Sequence, residues 1–165
     1  MFLLKQEKVH KNALAHGWWE DDRGNMEIMA LVISELSELL EAYRENSQDK
    51  PCDKDIGIDQ KSEELADVVI RVMDYRGKLN DESLNLYLNS DRQKMFNNLS
   101  GISIGSQIGL LMSEVVKYFN TMHGLDMIIA YCEEFANLNQ VDLWAAVAVK
   151  HEYNKTRPYK HGKQF

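Results

Sequence analysis

The sequence predicts an all-α fold, an antiparallel helical bundle, on three observations. Apolar residues recur at three- and four-residue steps in several long runs, no segment sustains a period of two, and 165 residues include only 2 Pro and 9 Gly. With 44% hydrophobic and 27% charged residues, residues 1–165 read as a single compact domain. From Met26 to Arg44 the positions Met29, Val32, Ile33, Leu36, Leu39, Leu40 and Tyr43 form the buried stripe of one amphipathic helix. Glu45 to Gln60, with Asn46, Pro51 and Gly57, has turn composition and no apolar period, so it is expected to join two antiparallel helices. Ser62 is expected to cap the next helix, Leu65, Val68, Val69 and Val72 to form its buried line, and Gly77 to stop it. Residues 80 to 100 are rich in Asn and Ser and read as an irregular connection, with a short helical stretch around Glu82 to Leu88. Two further helices are predicted over Ile104 to Met122 and Leu125 to Leu138, parted by His123 and Gly124. A last one runs from Val141 to Thr156, closed by Pro158, because a residue before proline is pushed out of the α region.

Charge and cysteine usage narrow the function classes. A net charge of -7 repels a nucleic-acid backbone, which argues against a duplex-binding role. The charge is uneven: residues 150–165 carry five Lys or Arg against one acid. Cys52 and Cys132 stand 80 residues apart, in neither a metal nor a redox spacing. The opening residues hold too short an apolar run for a signal peptide, and no stretch reaches the roughly 18 apolar residues of a membrane span. The expectation is a soluble cytoplasmic protein with no membrane partner.

The acids on the two central helices carry the chemistry. Glu35 and Glu38 lie about 60° apart on one edge of the first stripe, at 100° per residue. Glu64 and Asp67 repeat the three-residue spacing on the next helix, and Arg71 continues their line. A lone Glu-x-x-Glu on a helix is ordinarily a solvated face. Two matched pairs on antiparallel helices would instead converge, and four partly buried carboxylates repel unless a cation joins them. Oxygen donors without His or Cys suit a hard ion, Mg²⁺ or in its place Mn²⁺.

These residues resemble the signature of the MazG-like, all-α nucleoside triphosphate pyrophosphohydrolases. Here the signature is Glu35-Leu-Ser-Glu38, a gap of 25 residues, and Glu64-Leu-Ala-Asp67. HGWWE near the start, EELADVVIRVMDY, and KHEYNKTRPYKHGKQF at the end extend the resemblance over about residues 10–78 and 141–165. The resemblance implies a MazG-like bundle and Mg²⁺-dependent cleavage between the α and β phosphates, giving a nucleoside monophosphate and pyrophosphate. It implies Glu35, Glu38, Glu64 and Asp67 as the catalytic metal ligands. Two departures stand out. Ser34 occupies the place of the family's first Glu, so water activation would fall to the ion. An insertion of about residues 80–139 contains Ser113-Glu114, which echoes Ser34-Glu35 without a second carboxylate three residues on.

On the last helix the buried line Leu143, Ala146, Val147 continues into Lys150, Asn154 and Arg157, so its core-facing edge turns cationic. Lys160 and Lys163 follow on a Gly-containing tail that can fold over a ligand. With Arg71 these groups are expected to hold triphosphate oxygens. Adjacent Trp18 and Trp19 are poorly placed to share one pocket, and one of them is a candidate to stack on a base, with base preference left open. A small helical pair with an exposed face also predicts a homodimer or a dimer of dimers. The alternative is a non-catalytic helical interaction module that offers its acidic, metal-binding face to a partner. Two motifs are set aside. Gly101-Ile-Ser103-Ile-Gly105 lacks the strand that a nucleophile elbow needs, and Glu7-Lys-Val-His10 is one Glu-x-x-His where a di-iron bundle needs two.

Overall fold

The computed structural model describes residues 2–21, 23–79 and 89–162, with side chains at all of these except 2–5, 89–90 and 122. Among them are seven α-helices: α1 (Phe2–Ala15), α2 (Asn25–Arg44), α3 (Gln60–Lys78), α4 (Asn89–Leu99), α5 (Ile104–Tyr118), α6 (Met122–Leu138) and α7 (Leu143–Asn154). A 3-10 turn at Tyr159–Gly162 follows. The described residues contain no strand beyond one bridge pairing Pro51 with Asp59, so the fold is all-α as predicted. No described helix is long and apolar enough to cross a membrane.

Two helical hairpins, α2–α3 and α5–α6, pack on each other, α2 against α5 and α3 against α6. Helix α3 is the centre, with α1 and α7 lying on it and α4 lying on α6. The stripes merge into one core that includes Val32, Leu36 and Leu39 of α2 and Val68, Val69 and Val72 of α3. Leu111 and Val115 of α5 and Ile128 and Phe135 of α6 complete it. Full burial of such a side chain contributes about 1.5–3 kcal/mol. An ion pair is buried with this core: Arg76 of α3 is completely buried, with Nε 2.7 Å from Asp126 of α6 and a guanidinium nitrogen donating to Gln6 of α1.

Several boundaries differ from the sequence expectation, each for a local reason. Asp59, not Ser62, caps α3: its Oδ1 accepts from the Ser62 N–H at 2.9 Å, so the helix starts at Gln60. Gly77 lies inside α3 and does not stop it. A Cβ there would stand 2.5 Å from the His10 Cβ, so the glycine permits the approach of α1. His123 and Gly124 belong to the first turn of α6. The break falls at residues 119–121, where Thr121 Oγ1 accepts from the Gly124 N–H at 2.9 Å. Helix α7 starts at Leu143 because Asp142 caps it, accepting from the Ala145 N–H at 3.2 Å, and it ends at Asn154. The irregular connection expected up to residue 100 is helical from Asn89, where Met95 and Leu99 bury a one-turn stripe. The stretch proposed as helical at Glu82 to Leu88 lies outside the described residues, as does Lys163.

Candidate metal centre

Packing of Val32, Leu36 and Leu39 fixes the rotation of α2 and turns Glu35 toward α3, where it is only 6% exposed. Across the hairpin, the buried line Leu65, Val68 and Val72 sets Glu64 and Asp67 on the facing edge of α3. One carboxylate oxygen from each of Glu35, Glu64 and Asp67 lies within 4.8 Å of the others, the one such group of potential metal ligands among the described residues. Glu38 stands one turn further along α2, exposed and outside this group.

Cations compensate part of the cluster. Arg71 places Nη2 2.5 Å and Nε 2.6 Å from the same Glu35 oxygen. Lys150 comes from α7 with only 1% of its side chain exposed, its Nζ 2.7 Å from Asp67 Oδ2 and bonded also to Glu63. Lys54 of the α2–α3 connection lies 2.8 Å from Glu63 and 2.6 Å from Asp53. Glu64 has no ion pair among the described residues. Burial, followed by the charges of Glu63, Asp67, Glu38 and Glu35, pushes its carboxyl up to about 8. Burial also raises the Asp67 carboxyl, against the pull of the Lys150 ammonium. At neutral pH Glu64 therefore keeps its proton unless a cation joins the cluster. An all-oxygen donor set that holds back a proton for want of positive charge fits a hard divalent ion.

Beside the acids opens a cleft lined by Trp18, Asp67, Arg71, His151, Asn154 and Arg157, among others. The segment after Pro158 closes one side of it. The Lys160 N–H donates to the His16 carbonyl at 2.9 Å, and the Lys160 ammonium lies 2.7 Å from Asp21. The Tyr159 hydroxyl donates to Glu20. This fold-back uses left-handed backbone at Lys160 (φ 43°) and His161 (φ 51°) and sets the His161 ring edge-on against Trp18, centroids 5.2 Å apart. Burial and the nearby charge of Arg157 push His161 down to about 3, so its ring is neutral at physiological pH.

The expected site residues separate into groups. Glu35, Glu64, Asp67 and Arg71 converge. Trp18, Asn154 and Arg157 line the cleft. Trp19 is not in the lining; its Nε1 donates at 2.9 Å to Asp74, which does line the cleft and also binds His10 at 2.7 Å. Lys150 faces the acids rather than open space, and Lys160 is held by Asp21. Glu63, Lys54, His151 and His161 also belong to the site and carry no sequence expectation. Glu63 sits one residue outside the Glu-x-x-Asp spacing, and its partners come from a loop and from a helix 87 residues away. Ser103 accepts from the Ser106 N–H as the cap of α5, with no strand before it, and His10 is engaged by Asp74. Compared with known proteins, the chain matches no family model, no curated protein and no solved structure.

Proposed function

We propose that this chain is a Mg²⁺-dependent pyrophosphohydrolase of the MazG-like type, which cleaves nucleoside or deoxynucleoside triphosphates between the α and β phosphates. The observation that carries the proposal is the triplet Glu35, Glu64 and Asp67, held within 4.8 Å of one another beside a cleft with guanidinium groups. These three carboxylates would hold the ion, which when bound neutralises phosphate charge and polarises water. Arg71 fixes Glu35, and Lys150 fixes Asp67 from the far side, so both acids meet a ligand already oriented. Arg157 lines the cleft and has no ion-pair partner among the described residues, which leaves its guanidinium for the phosphates. Glu38, exposed one turn along α2 from Glu35 and outside the triplet, would serve as a further ligand, and water activation would fall to the ion. The new bond joins water oxygen to the α phosphorus, and the bond from that phosphorus to the bridging oxygen breaks, releasing pyrophosphate.

Both cysteines are free and buried, which supports work in a reducing cytoplasm. Phe96 and Val116 remain exposed on α4 and α5, which supports assembly as a homodimer or a dimer of dimers. The test is a panel of nucleoside triphosphates assayed with and without Mg²⁺, scoring pyrophosphate against orthophosphate. The expected result is pyrophosphate with nucleoside monophosphate, only in the presence of the ion. Orthophosphate as the first product would move the reaction to the γ phosphorus. No product from any substrate would leave the acidic face to a protein partner.

A further inference from the structure

Three unpartnered buried groups meet in one place. His151 is 8% exposed and both of its ring nitrogens are without a partner. Asn154, three residues on and 6% exposed, leaves Oδ1 without one. His161 does the same with Nε2. All three line the cleft beside the metal centre. Proteins seldom leave buried polar atoms unsatisfied, and a cluster of them around one opening marks a place where a ligand completes the hydrogen bonding.

The set is uncharged. Burial holds His151 below its ordinary value, and His161 is neutral for the reasons given above. The His151 ring therefore offers one N–H and one lone pair, His161 offers Nε2, and Asn154 adds a carbonyl acceptor. Phosphate oxygens accept only, and could not use Asn154 Oδ1. A heterocycle edge with donors next to acceptors uses both kinds. The lining also includes the apolar Val9, Ala13 and Ile70, against which a flat ring can lie. The cleft encloses about 80 Å³, far below the roughly 300–1,000 Å³ of sites that take in a whole ligand. A ring alone suits that volume, with the sugar and phosphates reaching out past Asp67 and Arg71, which line the cleft beside the acids.

We propose that His151 and Asn154, with His161 as the closing wall, form a nucleobase subsite that reads the hydrogen-bonding edge of the base and not the phosphates. The inference rests on the nucleotide reading above and assigns Asn154 to the base, where the sequence had set it among the phosphate ligands.

Calorimetry on the full metal-free chain tests it, with the common deoxynucleosides, deoxyribose and inorganic pyrophosphate as separate probes. At least one deoxynucleoside should bind while deoxyribose does not. Asn154→Ser and His151→Gln, each checked for unchanged helicity and melting, should weaken that binding tenfold or more and leave pyrophosphate binding alone. With Mg²⁺ and the best triphosphate, the same variants should raise KM at least tenfold with a smaller change in kcat. Nucleoside binding lost in the variants, but without any pyrophosphate release, would keep the subsite and remove the hydrolase. Pyrophosphate release with KM unchanged in both variants, or tripolyphosphate cleaved as well as nucleotides, would keep the hydrolase and overturn the subsite.

Discussion

The two hairpins of this bundle have the same construction and different contents. In α2–α3, Glu35 is buried at the helix interface and meets Glu64, Asp67 and Arg71 from its partner helix. In α5–α6, Glu114 occupies a similar place after a serine and is 8% exposed, yet the neighbouring part of α6 contributes Tyr131 and the apolar Ile128 and Cys132. Burial raises the Glu114 carboxyl, with Lys117 alone opposing it. A single buried acid can take up a proton and cost the fold little. In α2–α3 the cations Arg71 and Lys150 answer Glu35 and Asp67, while Glu64 beside them has no ion pair among the described residues and keeps its proton, which the proposed ion would displace. Site and scaffold thus differ by the second helix, not the first.

The largest effect that can break this contrast is on turnover. Asp67→Asn and Glu35→Gln should each lower kcat/KM on the order of 10³-fold, since loss of an anionic ligand removes several kcal/mol of charge stabilisation. Glu114→Gln should leave kcat/KM within about threefold, because Glu114 belongs to no group of potential metal ligands among the described residues. Steady-state kinetics on the three variants checks both halves. A large loss from Glu114→Gln would mean that the second hairpin also works.

Next comes Lys150, which reaches Asp67 and Glu63 from α7. Lys150→Met strands Glu63 and Asp67 without their α7 cation, and breaking a buried pair from one side costs about 3–5 kcal/mol. Urea denaturation of the metal-free protein should register that loss. The double variant Lys150→Met with Glu63→Gln should recover part of it.

The smallest effect sharpens the comparison through pH. The Glu64 carboxyl of the folded chain titrates near 8, above its unfolded value of 4.5. Between these values the folded state holds the extra proton, so stability should fall as pH rises through the window and should be unaffected by this group below it. Glu64→Gln carries no charge at either end and should stabilise the metal-free protein at pH 8 by about 2–4 kcal/mol, allowing for partial exposure. Thermal melts at pH 5 and pH 8 check this. The gap between variant and parent should be much larger at the higher pH and should shrink when Mg²⁺ is added to the parent.

Much of this was readable in the chain. Helices α2 and α3 follow from long unbroken stripes, and the meeting of Glu35 with Glu64 and Asp67 follows from three-residue spacing on antiparallel neighbours. Where residues met across longer distances, local pattern carried no signal. Glu63 looks like an ordinary first-turn acid until α7 brings Lys150 to it. Lys150 and Asn154 share a helix edge, yet Lys150 turns to the acids and Asn154 to the cleft, a split that periodicity does not resolve. Trp18 and Trp19 part because Asp74, on another helix, captures the second indole. Helix α4 was missed because its Asn, Ser and Gln mimic a loop while two apolar residues anchor it.

The buried guanidinium of Arg76 bears on how the molecule comes apart. Its carboxylate partner, Asp126, belongs to the other hairpin, and its amide partner, Gln6, to the first helix. Peeling α6 away would take the Asp126 carboxylate from a buried guanidinium, and peeling α1 away would remove the amide acceptor. Partial melting is therefore penalised on both sides, and the chain should lose its structure in one cooperative transition. Evolutionary reshuffling meets the same constraint. The α2–α3 hairpin cannot be excised as a module without replacing Arg76, so the second hairpin stays part of what makes the first one fold.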